Sequence, residues 1–176
     1  IDYYKREEFV LRNAYITAEG ALELTMNRLK HTVKDTNCLV LGYGRIGKFL
    51  ARLLLDLHAN VTVTARKGKD LVQAELDGCT SCPLRDLAGR LPHCDVLYNT
   101  IPHLVLDQTL LPMVPNQCLC IDLASKPGGI DFRAAEQLGL ETIWALGLPG
   151  KVAPGSAGQA IVDTILQILT EQEVSL

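Results

Sequence analysis

The chain lacks an excess of positive charge. Its 176 residues carry 17 Lys and Arg against 20 Asp and Glu, a formal net charge of −3. Bulk nucleic-acid binders are usually basic, so that class is set aside. No apolar run approaches the roughly 20 residues that a membrane-spanning helix needs. The start, Ile1-Asp2-Tyr3-Tyr4-Lys5-Arg6-Glu7-Glu8, is charged and lacks the apolar core of a secretory signal. No Met stands at position 1, as expected of a piece cut from a longer chain. A second matched cysteine pair is also missing. Cys79 and Cys82 form a lone CxxC, and a zinc site would want a partner pair of similar spacing. The other cysteines, Cys38, Cys94, Cys118 and Cys120, lie in or beside apolar runs, where thiols behave as small hydrophobes. At 48% hydrophobic residues the chain is apolar enough to need no disulfide staples. Reduced cysteines in a cytoplasmic protein without a metal site are expected.

What is present is an alternation. Short apolar runs occur at Cys38–Leu41, Val61–Thr64, Cys94–Tyr98, Cys118–Ile121 and Thr142–Leu146, with a weaker strand near Cys79–Cys82. Continuous apolar strands suit a parallel sheet covered on both faces. Helical periodicity lies between them. Ile46, Leu50, Leu53, Leu54 and Leu57 recur at spacings of three and four. Leu84–Leu91 and Ile130–Leu138 are shorter candidates, and Ala157, Ile161, Ile165, Ile168 and Leu169 mark a long last helix. The fold class is therefore α/β: a Rossmann-type, doubly wound parallel sheet of about six strands. Residues 1–37 show no strand-like run and read as a helical segment laid on the sheet, with the Rossmann domain over 38–176. Thr17 is expected to cap a helix starting at Ala18, with Leu22, Met26 and Leu29 on one face. Gly20, unfavourable inside a helix, is expected at a close packing contact.

Gly42-Tyr43-Gly44-Arg45-Ile46-Gly47 is a GxGxxG that follows the first strand and opens a helix. In that context the motif binds a dinucleotide. Gly42 permits the tight turn, Gly44 lets a pyrophosphate approach the backbone, and Gly47 lets the helix pack on the sheet. The helix N-terminus then offers free N–H groups to the phosphates. An NAD enzyme usually places Asp or Glu about 20 residues later, on the ribose 2′-hydroxyl. Here the second strand ends Ala65-Arg66-Lys67, with no acid and two cations. Arg66 can pair bidentately with a 2′-phosphate, so NADP is favoured, with NAD left open and solvated loop charges as the plain alternative.

Ligands of open α/β sheets bind beyond the carboxyl ends of the strands. Asn99-Thr100-Ile101-Pro102-His103 follows the fourth strand, where ribose and nicotinamide would lie. Asp122-Leu123-Ala124-Ser125-Lys126 follows the fifth, with Asp122 either facing the ligand or capping the turn, and Lys126 placed to meet a substrate carboxylate. Gly147–Gly158 holds four glycines and two prolines in twelve residues and reads as an elaborate loop, with Ser156 capping the last helix. No nucleophile triad or paired acid stands out. Of the four histidines, His31, His58, His93 and His103, only His103 falls by this edge, a candidate general acid or base by location.

Several runs together resemble one family. They are Asn13-Ala14, Thr17–Ala21, Cys38–Arg45, Asn99–Pro102, Asp122–Gly129 and Gly147–Pro154, and the last two are far more specific than a glycine loop. They resemble the A subunit of dipicolinate synthase, and more distantly the cofactor domains of 2-hydroxyacid dehydrogenases and adenosylhomocysteine hydrolases. The resemblance implies an oxidoreductase that forms dipicolinate from a dihydrodipicolinate, or its hydrated precursor, with a nicotinamide hydride acceptor. It also implies a partner, the flavoprotein-like B subunit of dipicolinate synthase. A preceding N-terminal domain is implied too, and a place in the cytoplasm of the mother cell of a sporulating bacterium. A homodimer stays open. Two substrate carboxylates would want cations, and Lys126 and Lys151 are the candidates. In 2-hydroxyacid dehydrogenases a catalytic His follows Pro in the loop before the last helix, whereas here Pro149 is followed by Gly150. Their acid–base chemistry is therefore not carried over. A nucleotide-sensing module without catalysis, or a 2-hydroxyacid-type cofactor domain, are the alternatives.

Overall fold

A computed structural model describes residues 2–173. Six strands form one parallel sheet: β1 (Asn37–Leu41), β2 (Asn60–Ala65), β3 (Thr80–Pro83), β4 (Val96–Asn99), β5 (Leu119–Asp122) and β6 (Glu141–Trp144). Their order is β3-β2-β1-β4-β5-β6. The strand order reverses between β1 and β4, which pair with Leu41 beside Asn99, so a ligand crevice is expected at that seam. Side chains alternate across the sheet as a period of two requires. Val40, Val63, Tyr98 and Ile121 enter one core, while Leu39, Leu41, Leu97 and Cys120 enter the other.

The helices are α1 (Glu7–Arg28), α2 (Arg45–Asp56), α3 (Gly68–Leu76), α4 (Phe132–Gln137), α5 (Leu148–Val152) and α6 (Pro154–Glu173). Four local expectations are corrected. Thr17 does not cap a helix. α1 already begins after Arg6, with Glu7 and Glu8 favourably placed in its first turn, and the Thr17 hydroxyl donates back to the Asn13 carbonyl at 2.7 Å. Met26 is exposed, because the face of α1 that meets the core carries the small side chains of Ala14, Ala18 and Ala21 instead. The segment Leu84–Leu91 forms 3-10 turns, Leu84–Gly89 and Leu91–His93, interrupted by Gly89 and by Pro92, which has no N–H to extend a helix. Finally, Gly147–Gly158 is not a loop. Gly147 turns the chain at φ +69° into α5, and α6 follows from Pro154, so Ser156 lies inside α6 rather than at its cap.

α1 and the sheet share a core. Gly20 sits where α1 meets α5, and a Cβ there would lie 3.1 Å from Leu148 Cβ and 3.2 Å from Val152 Cγ2. Deeper in, Thr25 donates to the Ala21 carbonyl at 2.9 Å and its Oγ1 lies 2.7 Å from the hydroxyl of the fully buried Tyr98. Burial raises the Tyr98 phenol pKa, so the group stays neutral. Tyr98→Phe removes this tie while Thr25 keeps its backbone acceptor. The expected loss is about 1 kcal/mol, read as a lower urea midpoint at unchanged slope. A midpoint equal to the parent's would show that the tie contributes nothing net.

All six cysteines are buried and free, and burial pushes Cys38 up to about 12. Among the described residues no cluster of His, Cys, Asp and Glu could hold a metal, and no helix is long and apolar enough to cross a membrane.

Candidate functional site

The glycine turn links β1 to α2. Gly42 has φ +94°, a conformation that favours glycine, and a Cβ there would lie 2.5 Å from Thr100 Oγ1 and 2.9 Å from Ile101 Cγ1. A Cβ on Gly47 would run into the Gly42 carbonyl, so this pair lets strand and helix meet. Gly44 differs. Its backbone is ordinary extended chain, at φ −81° and ψ −162°, and a Cβ there meets nothing within 4 Å. It is the N-cap of α2 and makes no side-chain cap bond, so the N–H groups of the first helical turn have no cap acceptor. They border a small cavity of about 200 Å³ lined by Gly44, Arg45, Ile46, Thr100 and Asn13 among others. Arg45 is held there by a fork to Glu7 of α1, donating from Nε at 2.8 Å and from Nη2 at 2.7 Å. The guanidinium in turn keeps the Glu7 carboxyl below its usual range. Tyr43 leaves the site, because its buried ring turns toward α3 and its hydroxyl donates to Asp77 at 2.6 Å. Only its backbone remains at the turn.

At the end of β2, Ala65 is buried while Arg66 and Lys67 are exposed. Neither makes an ion pair among the described residues.

Asn99 and Asp122 end β4 and β5 side by side, and both are 0% exposed. Asn99 Nδ2 donates to Asp122 Oδ1 at 2.8 Å and to the Ile101 carbonyl at 3.0 Å, while its Oδ1 accepts from Ile101 N at 3.1 Å. Asp122 also accepts from the backbone of Ala124 at 3.0 Å, Gly129 at 2.7 Å and Ile130 at 3.3 Å. Of the two roles open to Asp122, the structure shows the capping one, and the Asn99 side chain likewise turns to the chain. They spend their hydrogen bonds on shaping the loops Thr100–Pro102 and Leu123–Ile130. Gly129 is required by the same clasp, since a Cβ there would overlap the Asn99 amide.

Those loops wall a larger cavity of about 610 Å³. It borders Thr100, Pro102, Ala124 and Ser125 on one side, Gly147–Gly150 on another, and Asn13 and Thr17 of α1. Among the described residues, none that lines it is charged. Lys126, Lys151 and His103 are exposed and lie outside its wall, although Lys126 and Lys151 directly follow the lining residues Ser125 and Gly150. Burying Leu148 against Gly20 fixes α5 so that Pro149 and Gly150 face the cavity and Lys151 stays in solvent. Sequence reasoning treated α1 as packing alone and missed its place in this wall. The spacing of Asn13 and Thr17, four apart on one helix face, was the available signal. A further cavity, about 440 Å³, opens at the opposite strand ends around Asn37, Asn60 and His93, away from the glycine turn.

A nicotinamide dinucleotide fits this architecture. The uncapped α2 terminus and the open space at Gly44 have the donors and the room that a diphosphate needs, and a cavity with no charged residue among its described lining adjoins them at the ends of β4 to β6. Residues 10–119 match the family described as D-isomer specific 2-hydroxyacid dehydrogenase, NAD binding domain. The chain belongs to that family. With membership comes a nicotinamide dinucleotide as cofactor.

The chain is also similar to the dipicolinate synthase A subunit of Bacillus subtilis (strain 168), 35% identical over 171 residues, spanning 97% of this chain and 58% of that protein. Among solved structures, the dipicolinate synthase A subunit from Bacillus halodurans is 37% identical with TM-score 0.91, over 94% of this chain and 57% of that one. The solved Bacillus subtilis protein is 34% identical with TM-score 0.96, over 100% and 59%. The chain thus spans somewhat under three-fifths of the length of these relatives.

Proposed function

We propose that this chain is the dinucleotide-binding part of a dipicolinate synthase A subunit. In this reading the whole protein oxidises a dihydrodipicolinate, or its hydrated precursor, to dipicolinate. It does so together with a flavoprotein-like B subunit, in the mother cell of a sporulating bacterium. The observation that carries the cofactor half is the uncharged cavity at the ends of β4 to β6, continuous in its lining with the diphosphate cradle at Gly44. Similarity along nearly the whole chain supports the substrate half. A bound nicotinamide supplies the hydride acceptor for forming an aromatic ring.

The chain's own residues have separate tasks. The first-turn N–H groups of α2 and the Arg45 guanidinium meet the diphosphate. Thr100 and Ala124 border the space for the nicotinamide half. Because no described residue lining that space is a cation, the two substrate carboxylates are assigned to Lys126 and Lys151 at its rim, and His103 is the candidate proton acceptor nearby. Gly150 after Pro149 removes the histidine of a 2-hydroxyacid-type mechanism. The sensor alternative gives these rim cations no task.

At the end of β2, the exposed and unpaired Arg66 favours NADP. Calorimetric titration is expected to show NADP binding about tenfold tighter than NAD, and Arg66→Ala is expected to erase the difference. Equal affinities in the parent chain would take Arg66 out of the site. The reaction itself is tested with the whole protein and its flavoprotein-like partner, by following reduced dinucleotide and dipicolinate as dihydrodipicolinate is consumed. If neither product appears, the synthase assignment fails.

A further inference from the structure

Asn13 stands at a junction. Among the described residues, three border both the diphosphate cradle and the larger cavity: Asn13, Ile46 and Thr100. Ile46 is apolar, and the Thr100 hydroxyl already donates to the Leu41 carbonyl at 2.8 Å. Thr17, one turn on from Asn13, is likewise committed, to the Asn13 carbonyl at 2.7 Å. The Asn13 side-chain amide makes no hydrogen bond among the described residues, although it is half-buried. It is therefore the free hydrogen-bonding group where the two spaces meet.

The fold does not ask for asparagine here. The position lies inside the 22-residue helix α1, where asparagine competes with the backbone for hydrogen bonds and alanine is better tolerated. The apolar residues near it on α1 that pack, Phe9, Ala14, Ile16 and Ala18, are all buried, whereas Asn13 is only half-buried. A half-buried amide with no hydrogen bond in the described chain leaves its donors and acceptor open to a partner bound in the cavity.

The chemistry of that partner follows from the surroundings. The larger cavity has no charged wall, so it suits a neutral polar group rather than a phosphate or a carboxylate pair. A primary amide both donates and accepts, which matches a carboxamide or a ribose diol. We infer that Asn13 is a positioning residue for the nicotinamide nucleoside half of the dinucleotide, gripping it where it passes from the diphosphate cradle into the cavity. This rests on the dinucleotide reading above. It makes α1 part of the binding site and not only a packing helix.

Asn13→Ala tests it, because alanine preserves the helix and the thermal midpoint without ligand is expected to match or exceed the parent's. Both chains are titrated calorimetrically with NADP, NAD and ADP, the last keeping the diphosphate but lacking the nicotinamide nucleoside. The dinucleotides are expected to bind about tenfold more weakly to Asn13→Ala, with ADP changed less than about twofold. Emission from the bound reduced dinucleotide is expected to shift as well, since the ring loses its fixed orientation. Dinucleotide affinity within about twofold of the parent's would overturn the inference. So would an equal loss for ADP, which would place Asn13 at the diphosphate. A parent chain that binds ADP and dinucleotides alike would remove the cavity contact itself. Binding of none of them to the parent would instead defeat the dinucleotide reading on which the inference stands.

Discussion

Asp122→Ala is expected to lower the stability of the fold by roughly 3–5 kcal/mol, because several buried donors lose their acceptor together. The donors are the Asn99 amide and the backbone N–H groups of Ala124, Gly129 and Ile130. With Asp122 and Asn99 both 0% exposed, water does not replace the lost acceptor without opening the loops. A domain of this size has a total stability of about 5–15 kcal/mol, so the loss is a large fraction of it. Guanidinium unfolding of parent and variant measures it directly. The same clasp shapes the loops around the larger cavity, so any folded variant should also bind dinucleotide more weakly. A difference below about 1 kcal/mol would mean that these donors find other partners and that the clasp is not what holds β4 and β5 in register.

Gly44→Val is expected to separate binding from folding. The backbone there is extended and acceptable to any residue, and the added side chain points into empty space. Stability should stay within about 1 kcal/mol, the modest penalty of a poorer N-cap offset by a less flexible unfolded chain. Affinity for the dinucleotide should fall by about a hundredfold or more, since the branched side chain fills the approach to the N–H groups of α2 and displaces several charge-assisted hydrogen bonds. Melting and titration of the same preparation check both halves. Unchanged affinity would place the diphosphate elsewhere. Gly47 makes a useful contrast, because a Cβ there overlaps the Gly42 carbonyl, and its substitution should cost stability first.

Much of the fold was legible because its signals are local. Cys38–Leu41 and Cys118–Ile121 read as strands from continuous apolar runs, and each sits in the interior of the sheet. Gly42, Gly44 and Gly47 read as a dinucleotide turn from spacing and context, and the turn does join β1 to α2. Gly20 read as a close contact, and Leu148 and Val152 lie against it. Errors arose where short polar or glycine-rich stretches have more than one local solution. Thr17 and Ser156 are good caps in isolation, yet both lie inside helices that begin earlier, α1 after Arg6 and α6 at Pro154. Gly147–Gly158 has the composition of a loop, but the contact of Leu148 with Gly20 organises it as α5 and the first turn of α6.

By itself the sequence determined the class of fold, the order of its strands and the glycine turn between the first strand and the helix after it. Each depends on residues close together in the chain, through a period of two, a period near 3.6, or one glycine spacing. Only the tertiary structure decided which polar side chains border the cavities and which face each other. Asn99 and Asp122 look alike as candidates for either role until the pairing of β4 with β5 brings them within 2.8 Å. Asn13, an ordinary residue of a long helix, joins the wall of the larger cavity because α1 lies beside strand ends far from it in sequence. A side chain has few hydrogen bonds to make, and whether they go to the protein or to a ligand depends on the partners that folding brings within reach.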